Sequence, residues 1–195
     1  MNKTDKEVRS LTNPEIRVDK ESRQVSGYAV VFESQSEDLG FYETIHRGAI
    51  TTDTINNSDV FARFNHENNK ILARCKNGTG SMELQVDEKG VLYRFAAPKT
   101  ALGDELLEYL ERGDITASSF AFTIDPNDKQ AEKWSNRDGV LYRDIYHINR
   151  LYDVAPVFQP AYEATSCSKR YEDIKATAEE INAMLDAMRK DIESL

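Results

Sequence analysis

Apolar residues alternate with polar ones over many short stretches of this chain, the signature of half-buried strands. Val25 to Glu33 (VSGYAVVFE) predicts one strand, with Gly27 marking a bend or bulge. Phe41 to Arg47 predicts a second and Gly48 to Ile55 a short helix. Val60 to His66 (VFARFNH) alternates, which places Val60, Ala62, Phe64 and His66 on one face. Ile71 to Cys75 is closed by the turn residues Asn77, Gly78 and Gly80. Met82 to Val86 and Val91 to Ala97 flank DEKG, which reads as a hairpin with Gly90 at a left-handed position. Ile115 to Ile124 predicts another strand, residues 126–139 a polar excursion, and Leu141 to Val157 strand again, interrupted at Pro156.

Helical spacing occurs in two places. From Thr100 to Arg112, Leu102, Leu106 and Leu110 recur every four residues, with Leu107 beside them. Thr100 is placed to cap that helix and Gly113 to end it. From 171 to 195, Ile174, Ala178, Ile181, Leu185, Met188, Ile192 and Leu195 form a heptad seam. That seam suits an amphipathic helix lying on its own domain, or a coiled coil with a second copy or a helical partner. The organisation expected is a loose arm over 1–14, a globular body over 15–168 and a C-terminal heptad helix over 171–195. Many short strands around one long internal helix predict a mainly β fold, an antiparallel sheet or barrel with helices packed on it.

Composition narrows the function classes. The chain has 34 acidic and 25 basic residues among 195, a formal charge of −9. Such a protein has no general attraction for phosphate backbones, so no nucleic-acid partner is expected. The longest apolar run, Tyr28 to Phe32, is far below the roughly 20 residues that cross a bilayer, so no membrane partner is expected either. The N-terminus carries no apolar stretch of the signal-peptide kind. Cys75 and Cys167 form no CxxC, and free thiols in a reducing compartment are expected. The three histidines, His46, His66 and His147, lack metal-ligand spacing, and no phosphate-binding glycine loop occurs, so no metal or cofactor is expected.

Some residues could carry chemistry. His66 ends an alternating strand where a polar loop, NHENN, begins, which suits a general base as well as a partly buried structural histidine. Ser118 and Ser119 are consecutive on a strand and so face opposite ways. Ser118 shares its face with Phe120, Phe122 and Ile124, the core side, and Ser119 with Ala117 and Ala121. Small neighbours leave a peptide room to approach, so Ser119 is the better-placed nucleophile. Asp153 lies in an apolar strand (LYDVAPV), where a carboxylate needs a partner, and a histidine is suitable.

Taken together, three segments resemble the tailed-bacteriophage prohead proteases, or capsid maturation proteases, which are distantly similar to herpesvirus assemblin. They are Asn65-His66-Glu67, then Ser119-Phe120-Ala121-Phe122 after Gly113, then Leu151-Tyr152-Asp153-Val154-Ala155-Pro156-Val157 followed by Pro160-Ala161-Tyr162. The early Gly27 to Phe32 strand fits as well, so the resemblance covers roughly residues 15–168. It implies an antiparallel β-barrel of the herpesvirus-protease type. It also implies a serine endopeptidase with Ser119 as nucleophile, His66 as general base and Asp153 as the orienting acid. The sequence departs from the usual family text at Ser118, where an apolar residue is commoner, and at Asp153, where Glu is. Herpesvirus relatives use a second histidine as third member, but the resemblance places Asp153 at that position, so His147 is second choice. The stretch Phe158 to Tyr162 is a candidate source of oxyanion donors. Implied partners are the major capsid protein or scaffold as substrate, inside the assembling prohead in the host cytoplasm, with cleavage of the chain itself between about Tyr162 and Tyr171. A catalytically silent assembly protein of the same fold is the alternative. An esterase is a further one, although the chain has no GxSxG elbow.

Overall fold

The computed structural model describes residues 6–12 and 15–158. In chain order the elements are β1 (Glu7–Thr12), β2 (Arg17–Asp19), β3 (Gln24–Val31), β4 (Tyr42–Ile45), α1 (Thr52–Asn56), β5 (Asp59–Arg63), β6 (Ile71–Lys76) and β7 (Thr79–Gly80). There follow β8 (Met82–Val86), β9 (Gly90–Ala96), α2 (Ala101–Arg112), β10 (Ala117–Thr123), β11 (Glu132–Arg137), β12 (Val140–Ile145) and β13 (Arg150–Val157). The fold is mainly β, as the alternation predicts. The strands fall into three sheets, ordered β1-β10-β13-β5-β6-β7, β11-β12-β4 and β2-β3-β9-β8. No closed barrel is found among the described residues. The C-terminal heptad segment, 171–195, lies outside the described residues.

The core lies between the six-stranded and four-stranded sheets. Val60, Ala62, Phe120, Phe122 and Val154 from the first, with Phe64 just past the end of β5, meet Val25, Ala29, Val91, Tyr93 and Phe95 from the second. The α2 helix adds Leu106, Leu107 and Leu110, with Leu102 packed at the margin. Its ends are as predicted: the Thr100 side chain accepts from the Gly103 N–H, and Gly113 closes it in the left-handed region at φ 75°.

Several expectations change. Residues 7–12 are not a loose arm but an edge strand on β10, with Glu7 opposite Phe122 and Ser10 opposite Ser119. They are held by charge. Arg9 donates to Glu43 through Nε at 2.8 Å and to Glu7 through Nη2 at 2.8 Å. Arg143, only 1% exposed, donates to Glu7, Glu43 and Glu132. Burial alone would raise the Glu7 carboxyl, but the hydrogen bonds and charges of Arg143 and Arg9 outweigh it and hold it at about 2. The ladder is broken between Tyr28 and Val30, so the bulge sits just beyond Gly27. Gly90 is not left-handed. A Cβ there would sit 1.9 Å from the Val30 carbonyl oxygen, so the glycine serves close strand approach.

Two strand pairs are parallel, β12 with β4 and β13 with β5. Pro156 does not interrupt β13. Its carbonyl accepts from the Asn65 N–H at 3.3 Å, so its nitrogen faces the same way, past the last residue of β5. No ladder acceptor there needs a donor.

Candidate active site

Register decides which side chains share a face. Ala121 is opposite Asp153 and Ser119 is opposite Ala155 in the antiparallel pair, while Asp153 is beside Phe61 in the parallel one. Paired residues project the same way, so Ala117, Ser119, Ala121, Asp153, Ala155, Val157, Phe61 and Arg63 lie on the face turned from the main core. Ala117, Ala155 and Val157 pack there as a small separate cluster. The two serines therefore part as expected. Ser118 faces inward and shares a 2.9 Å hydrogen bond with the Tyr93 hydroxyl, which burial pushes up to about 12. Gly27 leaves room for that hydroxyl, since a Cβ there would lie 2.8 Å from it.

His66 is not on the face that alternation assigns. β5 ends at Arg63, and Asn65 and His66 both take left-handed backbone, at φ 51° and 60°. That turn breaks the period of two and carries the ring round to the Phe61 and Arg63 side. Phe64 stays in the core, edge-on to Phe158 with centroids 5.4 Å apart. With the Asn65 N–H held by Pro156, the turn is pinned to β13 at both its residues.

The His66 ring consequently meets Asp153. His66 Nδ1 lies 3.2 Å from Asp153 Oδ2, and Arg63 donates through Nη1 to the same oxygen at 2.9 Å. A carboxylate beside a guanidinium accepts rather than donates, which assigns the ring hydrogen to Nδ1; in the neutral imidazole Nε2 is then the acceptor. Ladder irregularities flank the site: Tyr152 is bulged on β13 and Leu72 on β6, opposite Ala62 and Arg63. Asp153 is 4% exposed at its side chain, His66 22% and Arg63 16%.

Three buried polar atoms of this group have no hydrogen-bond partner: His66 Nε2, Asp153 Oδ1 and Arg63 Nε. Ser119 is fully buried and its hydroxyl donates to the Arg9 carbonyl of β1 at 2.8 Å. No hydrogen bond joins Ser119 to His66 in this conformation among the described residues. His147 is elsewhere, exposed and paired with Asp128 at 2.8 Å. His46 bridges Glu33 and Asp144, which raise it against the effect of burial, and stacks on Tyr146. Among the described residues no cluster of His, Cys, Asp and Glu is fit to hold a metal. The oxyanion stretch beyond Phe158 lies outside the described residues. Arg63 was missed by the sequence reading; its signal was a charge at an alternating position three residues before His66.

An acid that holds one imidazole nitrogen and leaves the other open is an arrangement able to act as the acid–base pair of a nucleophilic hydrolase. The chain belongs to the caudovirus prohead serine protease family, whose model matches residues 9–180. That makes it a serine protease with a role in capsid maturation. No curated protein and no solved structure is a significant match.

Proposed function

We propose that Ser119, His66 and Asp153 are the catalytic triad of an endopeptidase that cleaves capsid or scaffold segments inside the assembling prohead. The observation that carries this is the unpartnered His66 Nε2, buried beside an Asp153 that already holds Nδ1. Buried polar atoms are usually paired, and the Ser119 hydroxyl turned toward Nε2 would supply the partner. In this mechanism the Ser119 hydroxyl first turns from the Arg9 carbonyl toward Nε2. His66 takes its proton as Oγ attacks the scissile carbonyl. The imidazolium, stabilised by Asp153, then gives that proton to the leaving amine, and water releases the acyl group through the same base. Asp in place of the family's commoner Glu is accommodated because the left-handed turn brings the ring to the strand.

The same family role supports cleavage of the chain itself between about Tyr162 and Tyr171, and docking of the 171–195 seam on a helical partner or a second copy. A silent assembly protein is the second reading. The burial of Ser119 and its bond to Arg9 favour it. Co-expression with the cognate capsid or scaffold protein, followed by intact mass, separates them. Fragments are expected with wild type and with Ser118→Ala, and none with Ser119→Ala. Loss with Ser118→Ala alone reverses the nucleophile, and no fragments from wild type favours the silent protein.

A further inference from the structure

We propose that Arg63 is a positioning residue for the triad, clamping Asp153 so that its Oδ2 is aimed at His66 Nδ1. The inference rests on the triad reading above. Asp153 is buried on β13, between β10 and β5. A neutral imidazole gives such a carboxylate one hydrogen bond but no counter-charge, and a lone buried carboxylate is costly. Arg63 supplies that charge permanently, whether His66 is neutral or protonated. The ring is thereby left free to cycle its proton with the nucleophile instead of serving as the aspartate's counter-ion.

The placement of Arg63 is specific. It is the last residue of β5, beside the bulged ladder at Leu72, and its guanidinium lies over the Phe61 ring at 4.8 Å from the centroid. That cation–π contact helps to hold the guanidinium beside Asp153. Nη1 reaches Asp153 Oδ2, while Nε and Oδ1 remain open, so the clamp is one-pronged. Arg63 touches no reacting atom. It acts through Asp153, and its loss should slow the chemical step.

The test measures labelling of Ser119 in the full chain by diisopropyl fluorophosphate, per folded molecule, with melting temperature read alongside. Arg63→Ala should label about 100-fold more slowly, the scale of a misplaced catalytic group. Added methylguanidinium should restore part of that rate in Arg63→Ala and do nothing for wild type. Arg63→Lys keeps the charge without the planar fork and should fall between the two. Arg63→Ala labelling at the wild-type rate overturns the proposal, and so does a slow variant that methylguanidinium leaves unchanged. Should Arg63→Ala fail to fold, Arg63→Lys at the wild-type rate overturns it equally. Wild type that is unlabelled at Ser119 sinks the triad reading itself, and this inference with it.

Discussion

Two groups of charged residues flank β10, the strand of Ser118 and Ser119. On one side of β10, Glu7, Arg9, Glu43, Glu132 and Arg143 tie the edge strand β1 to β4 and β12. On the other, Arg63, His66 and Asp153 join β5 to β13. In the first group each guanidinium finds several carboxylate oxygens, and Arg143 alone reaches three glutamates. In the second, one carboxylate oxygen serves two donors while three polar atoms stay open. Charges buried for structure are worth keeping only when every prong is matched. Charges kept for chemistry must leave a place for what arrives. Burial does not draw this contrast, since Asp153 is as enclosed as the β1 group while Arg63 and His66 are only partly buried.

The contrast can be broken by making one change, acid to amide, on each side. The larger effect is expected at Asp153. Asp153→Asn removes the acceptor that fixes the His66 tautomer, and labelling of Ser119 should fall by about 10⁴-fold. Its melting temperature should fall as well, since Arg63 loses the counter-charge that it meets at Oδ2, by an amount that the 16% exposure of the Arg63 side chain limits. A collapse in stability with unchanged labelling of the folded fraction would make Asp153 a structural acid.

Glu7→Gln should cost stability alone. The native Glu7 carboxyl sits at about 2 against an unfolded value of 4.5. Because the native value is depressed, its stabilisation is fully present above about pH 4.5 and is lost as pH falls toward 2. The shift corresponds to stability on the order of 3 kcal/mol. Urea midpoints taken from pH 7 down to pH 2 should therefore fall steeply in wild type. In Glu7→Gln they should start lower and fall less, with labelling per folded molecule retained. Parallel pH profiles for the two proteins would show that the β1 cluster does not carry this linkage.

Much of the molecule is legible in the pattern of its residues, and the exceptions share a cause. The strands around Val25, Val60, Met82 and Ile115 and the helix from Ala101 follow from local period and caps. β1 does not, because its alternation is inverted: Glu7 and Arg9 point inward, toward partners up to 136 residues away. Nothing local distinguishes that from a polar arm. Ser119 and its face were readable, since a strand serine between alanines needs only a period of two. The face of His66 was not, since two successive left-handed residues defeat alternation and Asn-His does not announce them. Arg63 was hidden for a third reason. Its role depends on the parallel pairing of β5 with β13, a contact between strands far apart in sequence.

The smallest expected effect tests whether the two faces of β10 are as separate as this comparison requires. Tyr93→Phe removes the hydroxyl that meets Ser118 at 2.9 Å and leaves the Ser118 oxygen alone in the core. An orphaned neutral group of this kind costs about 1–2 kcal/mol, a fall of roughly 3–6 °C in melting temperature for a chain of this size. The reacting face should not register the change, because Ser119 and Asp153 project from the other side of the sheet and share no partner with Tyr93. Labelling of Ser119 should stay at the wild-type rate while stability drops. If labelling falls with stability, the core face and the reacting face are mechanically one.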